Sequence, residues 1–257
     1  RSLREHLNAD CPPLQGAELS SVQPSLVKLS SLRDNACMKQ DFDIVIVGGG
    51  LAGLSLAVAM RTSRLSIAVV EGRLPVQPDG WDARIYAVSP ANARFLAEIG
   101  IWRHFSPARL GPVREMQVFG DAGGRLDFSA YDSGVSELAW IIEASLMQGE
   151  LWETVKRQGN VVLFCPARPQ ALEIQADSAQ LILEDGIRLG ARLVFAADGA
   201  DSWTRQAAGI EVAFMPYRQM GVVANFTCEK PHRDTACQWF RADGVLAYLP
   251  LQGSNLI

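Results

Sequence analysis

Residues 43–54 read D-I-V-I-V-G-G-G-L-A-G-L, and this stretch decides the fold. Asp43 to Val47 is a short run of mostly β-branched residues, the pattern of a strand buried in a parallel sheet. Leu51 to Arg61 has the small and apolar residues of a helix. Ile67 to Val70 (I-A-V-V) reads as a second buried strand and ends at Glu71. Residues 43–71 thus form a strand-helix-strand segment of 29 residues, about the size of one β-α-β unit. Gly48-x-Gly50-x-x-Gly53 joins the first strand to the helix, and Glu71 follows Gly53 by 18 residues. Gly48 permits a tight turn, Gly50 has no side chain to block a pyrophosphate, and Gly53 lets helix and strand pack closely. Free N–H groups and the dipole at the helix start attract phosphates. The Glu71 carboxylate can accept hydrogen bonds from ribose hydroxyls, and its charge repels a 2′-phosphate. The expected ligand is FAD or NAD rather than NADP.

Working outward, Pro90 to Ile99 reads as a helix closed by Gly100. Val113 to Phe119 and Arg125 to Phe128 read as strands joined by a hairpin at Asp121-Ala122-Gly123-Gly124. Ile141 to Arg157 is expected as a long helix stopped at Gly159-Asn160, and Val161 to Phe164 as a buried strand. Ala171 to Gln175, Gln180 to Glu184 and Ile187 to Leu189 form a meander. Leu193 to Ala197 is expected as another buried strand and Ser202 to Ala208 as a helix. The tail reads as strands over Tyr217 to Phe226, Ala236 to Phe240 and Val245 to Leu249. Mixed α/β character followed by antiparallel sheet implies two interleaved domains. We assign 38–111 and 134–212 to the nucleotide-binding domain, and 112–133 and 213–257 to the second. Residues 1–37 remain an unassigned extension or linker, with Met38 the expected natural start.

Composition narrows the classes. The chain has 257 residues, of which 48% are hydrophobic and 20% charged, as in ordinary globular proteins. Its 24 Lys and Arg against 28 Asp and Glu include no basic block, which argues against a nucleic-acid partner. The longest uncharged run, Ile44 to Met60, is 17 residues and is broken by glycines, so it is not a membrane span. Five cysteines without a C-x-x-C pair argue against a zinc site or disulfide framework and for a reducing compartment. The three histidines (His6, His104, His232) lie far apart in sequence, so no metal site is expected.

A second constellation is Asp198-Gly199-x-x-Ser202-x-x-Arg205, between a buried strand and a helix. Asp198 at a strand's carboxyl end can face a ligand crevice. Ser202 is placed as an N-cap. Arg205, one turn into the helix, can pair with Asp198 or contact a phosphate; a plain D-G turn with a capped helix is the structural alternative. Arg84, just before the helix at Pro90, reads on its own as a surface or ion-pair residue.

Together these stretches resemble the FAD-dependent aromatic monooxygenases of the p-hydroxybenzoate hydroxylase type. D-I-V-I-V-G-G-G-L-A-G-L with V-V-E-G-R looks like that family's start, and A-D-G-A-D-S-W-T-R at 197–205 matches its D-G-x-x-S-x-x-R fingerprint. A-R-I-Y-A-V-S-P-A-N at 83–92, W-I-I-E-A-S-L at 140–146 and G-V-L-A-Y-L-P-L at 244–251 narrow the resemblance to the ubiquinone-biosynthesis hydroxylases. The resemblance covers Met38 to Ile257. It implies a Rossmann-like FAD-binding domain interleaved with a mostly antiparallel substrate domain. It assigns Gly48, Gly50 and Gly53 to the FAD pyrophosphate, Glu71 to the adenosine ribose, and Arg84 to the flavin's neighbourhood. Asp198 and Arg205 belong to a fingerprint linked to FAD and the reducing nucleotide. No catalytic side chain or metal is implied, since the cofactor carries the chemistry.

The implied reaction is ring hydroxylation of a polyprenyl-phenol, using O2 and FAD reduced by NAD(P)H or another donor. Such an apolar substrate implies a cytoplasmic enzyme peripheral to the inner membrane, or membership of a ubiquinone-biosynthesis complex. The family's third fingerprint, G-D-A-A-H-x-x-P-like, has no match here. The expectation is therefore a C-terminal part beyond Ile257, with this chain an inactive fragment that binds FAD weakly. The alternatives are a related FAD-dependent epoxidase, reductase or halogenase, and a truncated non-catalytic nucleotide-binding subunit.

Overall fold

A computed structural model describes residues 39–253 and 255–257. The expected extension at 1–37 and the start at Met38 lie outside the described residues. In chain order the elements are β1 (Lys39–Val47), α1 (Leu51–Ala59), β2 (Ile67–Val70), β3 (Ile85–Val88), α2 (Pro90–Glu98), β4 (Gly111–Val113), β5 (Glu115–Gly120), β6 (Arg125–Ser129) and β7 (Ala139–Glu143). They continue with α3 (Ala144–Lys156), β8 (Val161–Phe164), β9 (Pro169–Ile174), β10 (Ala179–Leu183), β11 (Arg188–Ala196), α4 (Trp203–Ala207), β12 (Thr235–Arg241) and β13 (Gly244–Tyr248).

The main sheet has the order β8-β2-β1-β11-β10-β9. Its first four strands run parallel, and β10 and β9 continue it antiparallel. Side chains alternate across β1, so each face receives half of the D-I-V-I-V run. Ile44 and Ile46 join Leu54, Val58, Ile67, Leu151 and Val155 under α1 and α3. Val45 and Val47 join Val70, Leu181, Leu183 and Leu189 on the other face. Burial on both faces is why the stretch lacks polar alternation. Each large side chain fully buried here contributes about 1.5–3 kcal/mol.

Two smaller sheets complete the structure. One has the order β13-β12-β5-β6, with β12 parallel to β5 and its other pairs antiparallel. The other is β3-β7-β4, wholly antiparallel. Val113, Ala139, Ile141, Ala236 and Leu251 form the core between these elements. Fold class is therefore mixed α/β with antiparallel additions, as the sequence implied.

Several boundaries differ from the sequence reading. The helix expected from Ile141 starts only at Ala144, because Ile141, Ile142 and Glu143 finish strand β7 with no exposed surface. Consecutive residues on opposite strand faces are all buried there, which hides the strand period. The two strands expected at 187–189 and 193–197 are one, β11, running through Gly190 and Ala191. Its far end is not buried: Leu193 is 48% and Phe195 38% exposed. There β11 pairs with β1 on one side, while β10 reaches only as far as Ala191 on the other. Val113 is split from the strand expected over 113–119 and belongs to β4. The strand expected over Tyr217 to Phe226 is irregular chain; only at its end does Phe226 exchange backbone hydrogen bonds with Ile257. Its register partner is missing among the described residues, so apolar composition alone does not make it a strand. Strand β3 was not anticipated from sequence.

Candidate functional site

The loop between β1 and α1 lies at the carboxyl edge of the parallel strands, where β1 has β2 on one side and β11 on the other. In open α/β sheets this reversal of strand order leaves a crevice that receives ligands. A cleft of about 410 Å³ opens here, lined by Gly48, Gly50, Glu71, Gln148, Arg168 and Asp198 among others. Its size falls within the range of small-molecule sites.

Each glycine of the motif has a separate steric reason. Gly48 has φ +112, and a Cβ there would lie 2.3 Å from the Ala197 carbonyl oxygen. A Cβ on Gly53 would lie 2.0 Å from the Gly48 carbonyl oxygen, so α1 could not sit this close to the loop. Gly50 differs: nothing stands within 4 Å of its would-be Cβ. The space before it is open, as a phosphate approach requires. Gly50 is also the N-cap of α1 and provides no side-chain cap, which leaves the first N–H groups of the helix available.

Glu71 closes the cleft from the end of β2. Its Oε2 accepts the Gly49 N–H at 2.6 Å and its Oε1 accepts the Arg73 N–H at 2.9 Å. A carboxylate has about four acceptor sites, so each oxygen retains one for a ligand hydroxyl. Glu71 also acts on Cys165. Burial, and then the negative charge of Glu71, push that thiol up to about 11. Gln148, one turn into α3, donates from Nε2 to the Gly49 carbonyl at 2.8 Å. The glycine loop is thus gripped at one residue from both sides.

Asp198 follows β11 and lines the cleft, but its carboxylate is engaged locally. Oδ1 accepts the Ser202 hydroxyl at 2.5 Å, and Oδ2 accepts the Thr204 N–H at 2.9 Å and hydroxyl at 3.0 Å. Burial works against its charge, yet these donors outweigh it and hold the carboxyl below the ordinary carboxylate value. Ser202 is the N-cap of α4 and accepts the Arg205 N–H, as its position in the motif implied.

The structure does not bring Arg205 and Arg84 to the cleft lining. Arg205 donates to the Ala200 carbonyl at 2.9 Å and borders a different cleft beside Leu193. Among the described residues it forms no ion pair with Asp198, because Ser202 and Thr204 already occupy that carboxylate. Arg84 stands before β3 with an exposed side chain whose guanidinium is 5.8 Å from the Tyr86 ring centroid. The sequence reading missed Gln148, Arg168 and Trp203 as cleft residues. Gln148 lies just past the W-I-I-E-A-S-L stretch, but its contact with the loop depends on how α3 packs; neither it nor Arg168 carried a local signal.

Fold and cleft define a class first: a protein of the open α/β type that pairs a glycine loop between β1 and α1 with an acidic residue at the end of the second strand, the arrangement of nucleotide-binding domains. Residues 41–255 match the model of the FAD binding domain family, and the chain belongs to that family. It is 32% identical over 215 residues to the 3-demethoxyubiquinol 3-hydroxylase of Escherichia coli (strain K12), covering 82% of this chain and 55% of that protein. It is 32% identical over 217 residues to ubiquinone hydroxylase UbiL of Rhodospirillum rubrum, covering 83% and 50%. The mitochondrial ubiquinone biosynthesis monooxygenase COQ6 of Drosophila melanogaster matches at 32% over 226 residues, covering 82% and 47%. The chain therefore spans about half the length of these curated relatives. Among solved structures, PqsL of Pseudomonas aeruginosa superposes with a TM-score of 0.71 at 21% identity, covering 84% of this chain and 59% of that one. The p-nitrophenol 4-monooxygenase PnpA of Pseudomonas putida gives 0.57 at 21%, covering 67% and 44%. These likenesses establish the fold. Among the described residues no helix is long and apolar enough to cross a membrane.

Proposed function

We propose that this chain supplies the dinucleotide-holding part of an FAD-dependent monooxygenase that hydroxylates the aromatic ring of a polyprenyl-phenol in ubiquinone biosynthesis. The observation that carries the reading is the glycine loop fixed between Glu71 and Gln148, with open space before Gly50. The relatedness to ubiquinone hydroxylases supports the substrate class.

In this reading the pyrophosphate lies against Gly48, Gly50 and the first N–H groups of α1, where the helix dipole favours negative charge. Glu71 takes the adenosine ribose hydroxyls and turns away a 2′-phosphate by charge. Gln148 holds the Gly49 peptide so that the loop keeps its shape when the cleft is empty. Arg84 serves the flavin end. Asp198 holds the turn that leads into α4, and through it the cleft wall at Gly199. Arg205 supports the same turn through the Ala200 carbonyl rather than touching the ligand. The flavin, when bound and reduced, supplies the activation of O2 for transfer to the ring; the protein binds, orients and keeps water away. NAD(P)H or another donor reduces it. Contact with the inner membrane, or with other proteins of the pathway, delivers the apolar substrate.

Calorimetric titration of the chain with FAD and with ADP tests the nucleotide reading. Micromolar binding of both is expected, and binding of neither overturns it. Quinone extracts of E. coli cells lacking 3-demethoxyubiquinol 3-hydroxylase test the substrate class. The expected result is that ring hydroxylation returns when the full gene that encodes this chain is expressed. FAD binding by the chain without any change in the quinone profile overturns the ubiquinone assignment alone.

A further inference from the structure

Arg84 is carried by irregular chain. Residues 79–84 belong to no strand or helix. Such a segment does not fix its own course, so side chains from elsewhere must hold its backbone.

Those side chains are Glu143 and Arg109. Glu143 ends β7, precedes α3 and has 0% exposure. Its Oε1 accepts the Asp82 N–H at 2.6 Å. Arg109 donates to both of its oxygens, Nε to Oε2 and Nη2 to Oε1, each at 2.6 Å. The same Nη2 donates to the Gly80 carbonyl at 3.0 Å, and the guanidinium sits 4.3 Å from the centroid of the Trp81 ring. Asp82 passes the restraint on: its Oδ1 accepts the Arg84 N–H at 2.9 Å and its Oδ2 accepts the Ser145 N–H at 3.1 Å. The Arg84 carbonyl in turn accepts the Ala144 N–H at 2.8 Å.

An ion pair with one partner fully buried is a poor way to gain stability alone, since desolvation of the buried charge offsets much of the attraction. What this pair adds is direction. Its donors and acceptors are aimed at Gly80, Trp81 and Asp82, and through Asp82 at Arg84. Helix α3, to whose start the segment is tied, also carries Gln148, which holds the glycine loop. One helix therefore sets the phosphate loop and the Arg84 segment in a common frame.

We infer that Glu143 and Arg109 are positioning residues for the dinucleotide's flavin half: the pair fixes the backbone of residues 80–84 and thereby sets the point from which the exposed Arg84 side chain reaches. The inference rests on the FAD reading above.

The test is a double-mutant cycle read by calorimetry with two probes, FAD and ADP. ADP has the adenosine and pyrophosphate but no flavin half. The variants are Arg84→Ala, Glu143→Gln, Arg109→Lys and the pair Arg84→Ala with Arg109→Lys, each checked for folding by circular dichroism. Arg109→Lys keeps the buried charges balanced while removing the fork, so it remains informative should Glu143→Gln fail to fold. The wild-type chain is expected to bind FAD more tightly than ADP. Arg84→Ala, Glu143→Gln and Arg109→Lys are each expected to lower FAD affinity by about tenfold, the scale of one charge-assisted hydrogen bond, and to leave ADP affinity within about twofold. The double variant is expected to be no weaker than Arg84→Ala, because both changes remove one effect. Equal losses for ADP and FAD, additive losses in the double variant, or an unchanged FAD affinity in a folded Arg109→Lys overturns the positioning role. A wild-type chain that binds neither probe overturns the FAD reading itself.

Discussion

The Gly49 N–H donates to Glu71 Oε2 at 2.6 Å, which makes the end of β2 part of the glycine loop rather than only its neighbour. In the proposed reading Glu71 has two tasks, shaping the loop and receiving the ribose, and its variants separate them. Glu71→Ala removes both and is expected to lower ADP affinity by about tenfold or more, the worth of a hydrogen bond to a charged group. Glu71→Gln keeps an acceptor but removes the charge that repels a 2′-phosphate. Titration with ADP and with 2′-phospho-ADP is expected to show a reduced preference for ADP in Glu71→Gln. An undiminished preference would mean that the discrimination lies elsewhere.

The glycines at 50 and 53 are expected to fail differently. A Cβ at Gly53 would sit 2.0 Å from the Gly48 carbonyl oxygen, with Ile46 and Ala197 also in contact range. Neither backbone nor packed strand can yield that much, so Gly53→Ala is expected to cost about 1–3 kcal/mol of stability, as overpacking does. Gly50 has open space and φ −79, which alanine adopts without strain. Gly50→Ala is expected to melt like the wild type and to bind ADP more weakly, because its methyl group intrudes into the open space where the proposed pyrophosphate lies. Thermal melts and ADP titrations on the two proteins check the contrast.

The glycine loop was legible because three constraints coincide in adjacent residues: a β-branched run, a turn that excludes Cβ atoms, and an acid at the end of the next strand. The same holds for Ser202, whose cap is set by residues three apart. What was illegible depends on distant partners. Whether Ile141 is strand or helix is decided by Ala87, Gly111 and their strands, which no local period records. Arg205 looked like a ligand or a partner of Asp198, but Thr204 lies between them in sequence and takes the carboxylate with its own N–H and hydroxyl. Gln148 and Glu143 emerge only when α3 is laid against the loop.

Asp198 ties its turn to α4, and the strength of that tie depends on pH. Its carboxyl is held below the ordinary value in the folded chain. A depressed folded pKa contributes stability that is complete above the unfolded value, about 3.9, and is lost as pH falls through the folded one. Asp198→Asn replaces an acceptor with an amide that faces two hydroxyls and an N–H, and is expected to cost about 1–3 kcal/mol near neutral pH. Urea melts from pH 6 down to about 3 should show the wild type converging on the variant at the acid end. Ser202→Ala, which removes the cap, is expected to cost about 1 kcal/mol.

Cys165 is expected to be an inert thiol despite its place beside the cleft. Burial is the larger cause and the Glu71 charge the second, and together they push it up to about 11. Nucleophilic thiols react as thiolates, so at pH 8 very little of Cys165 is reactive. Mass spectrometry after brief iodoacetamide treatment should find it modified slowly. Glu71→Gln removes the second cause and is expected to speed modification at fixed pH. No change would place the barrier in access alone.

The outer end of β11 predicts self-association. From Leu193 to Ala196 its backbone pairs with β1 on one side, and among the described residues no strand pairs with the other. An open edge presents unpaired N–H and C=O groups, and here Leu193, 48% exposed, adds apolar surface beside them. Two such edges can pair with each other. Sedimentation velocity is expected to show association that grows with concentration. Lysine on an edge is the usual deterrent, because pairing would bury its charge. Leu193→Lys is therefore expected to shift the chain toward monomer, with stability changed by no more than about 0.5 kcal/mol for so exposed a site. A second apolar surface makes the result decisive: Phe214 is 84% and Tyr217 89% exposed in the irregular chain after α4. Should Leu193→Lys associate like the wild type while Phe214→Lys does not, the adhesive surface is that segment and the β11 edge is passive.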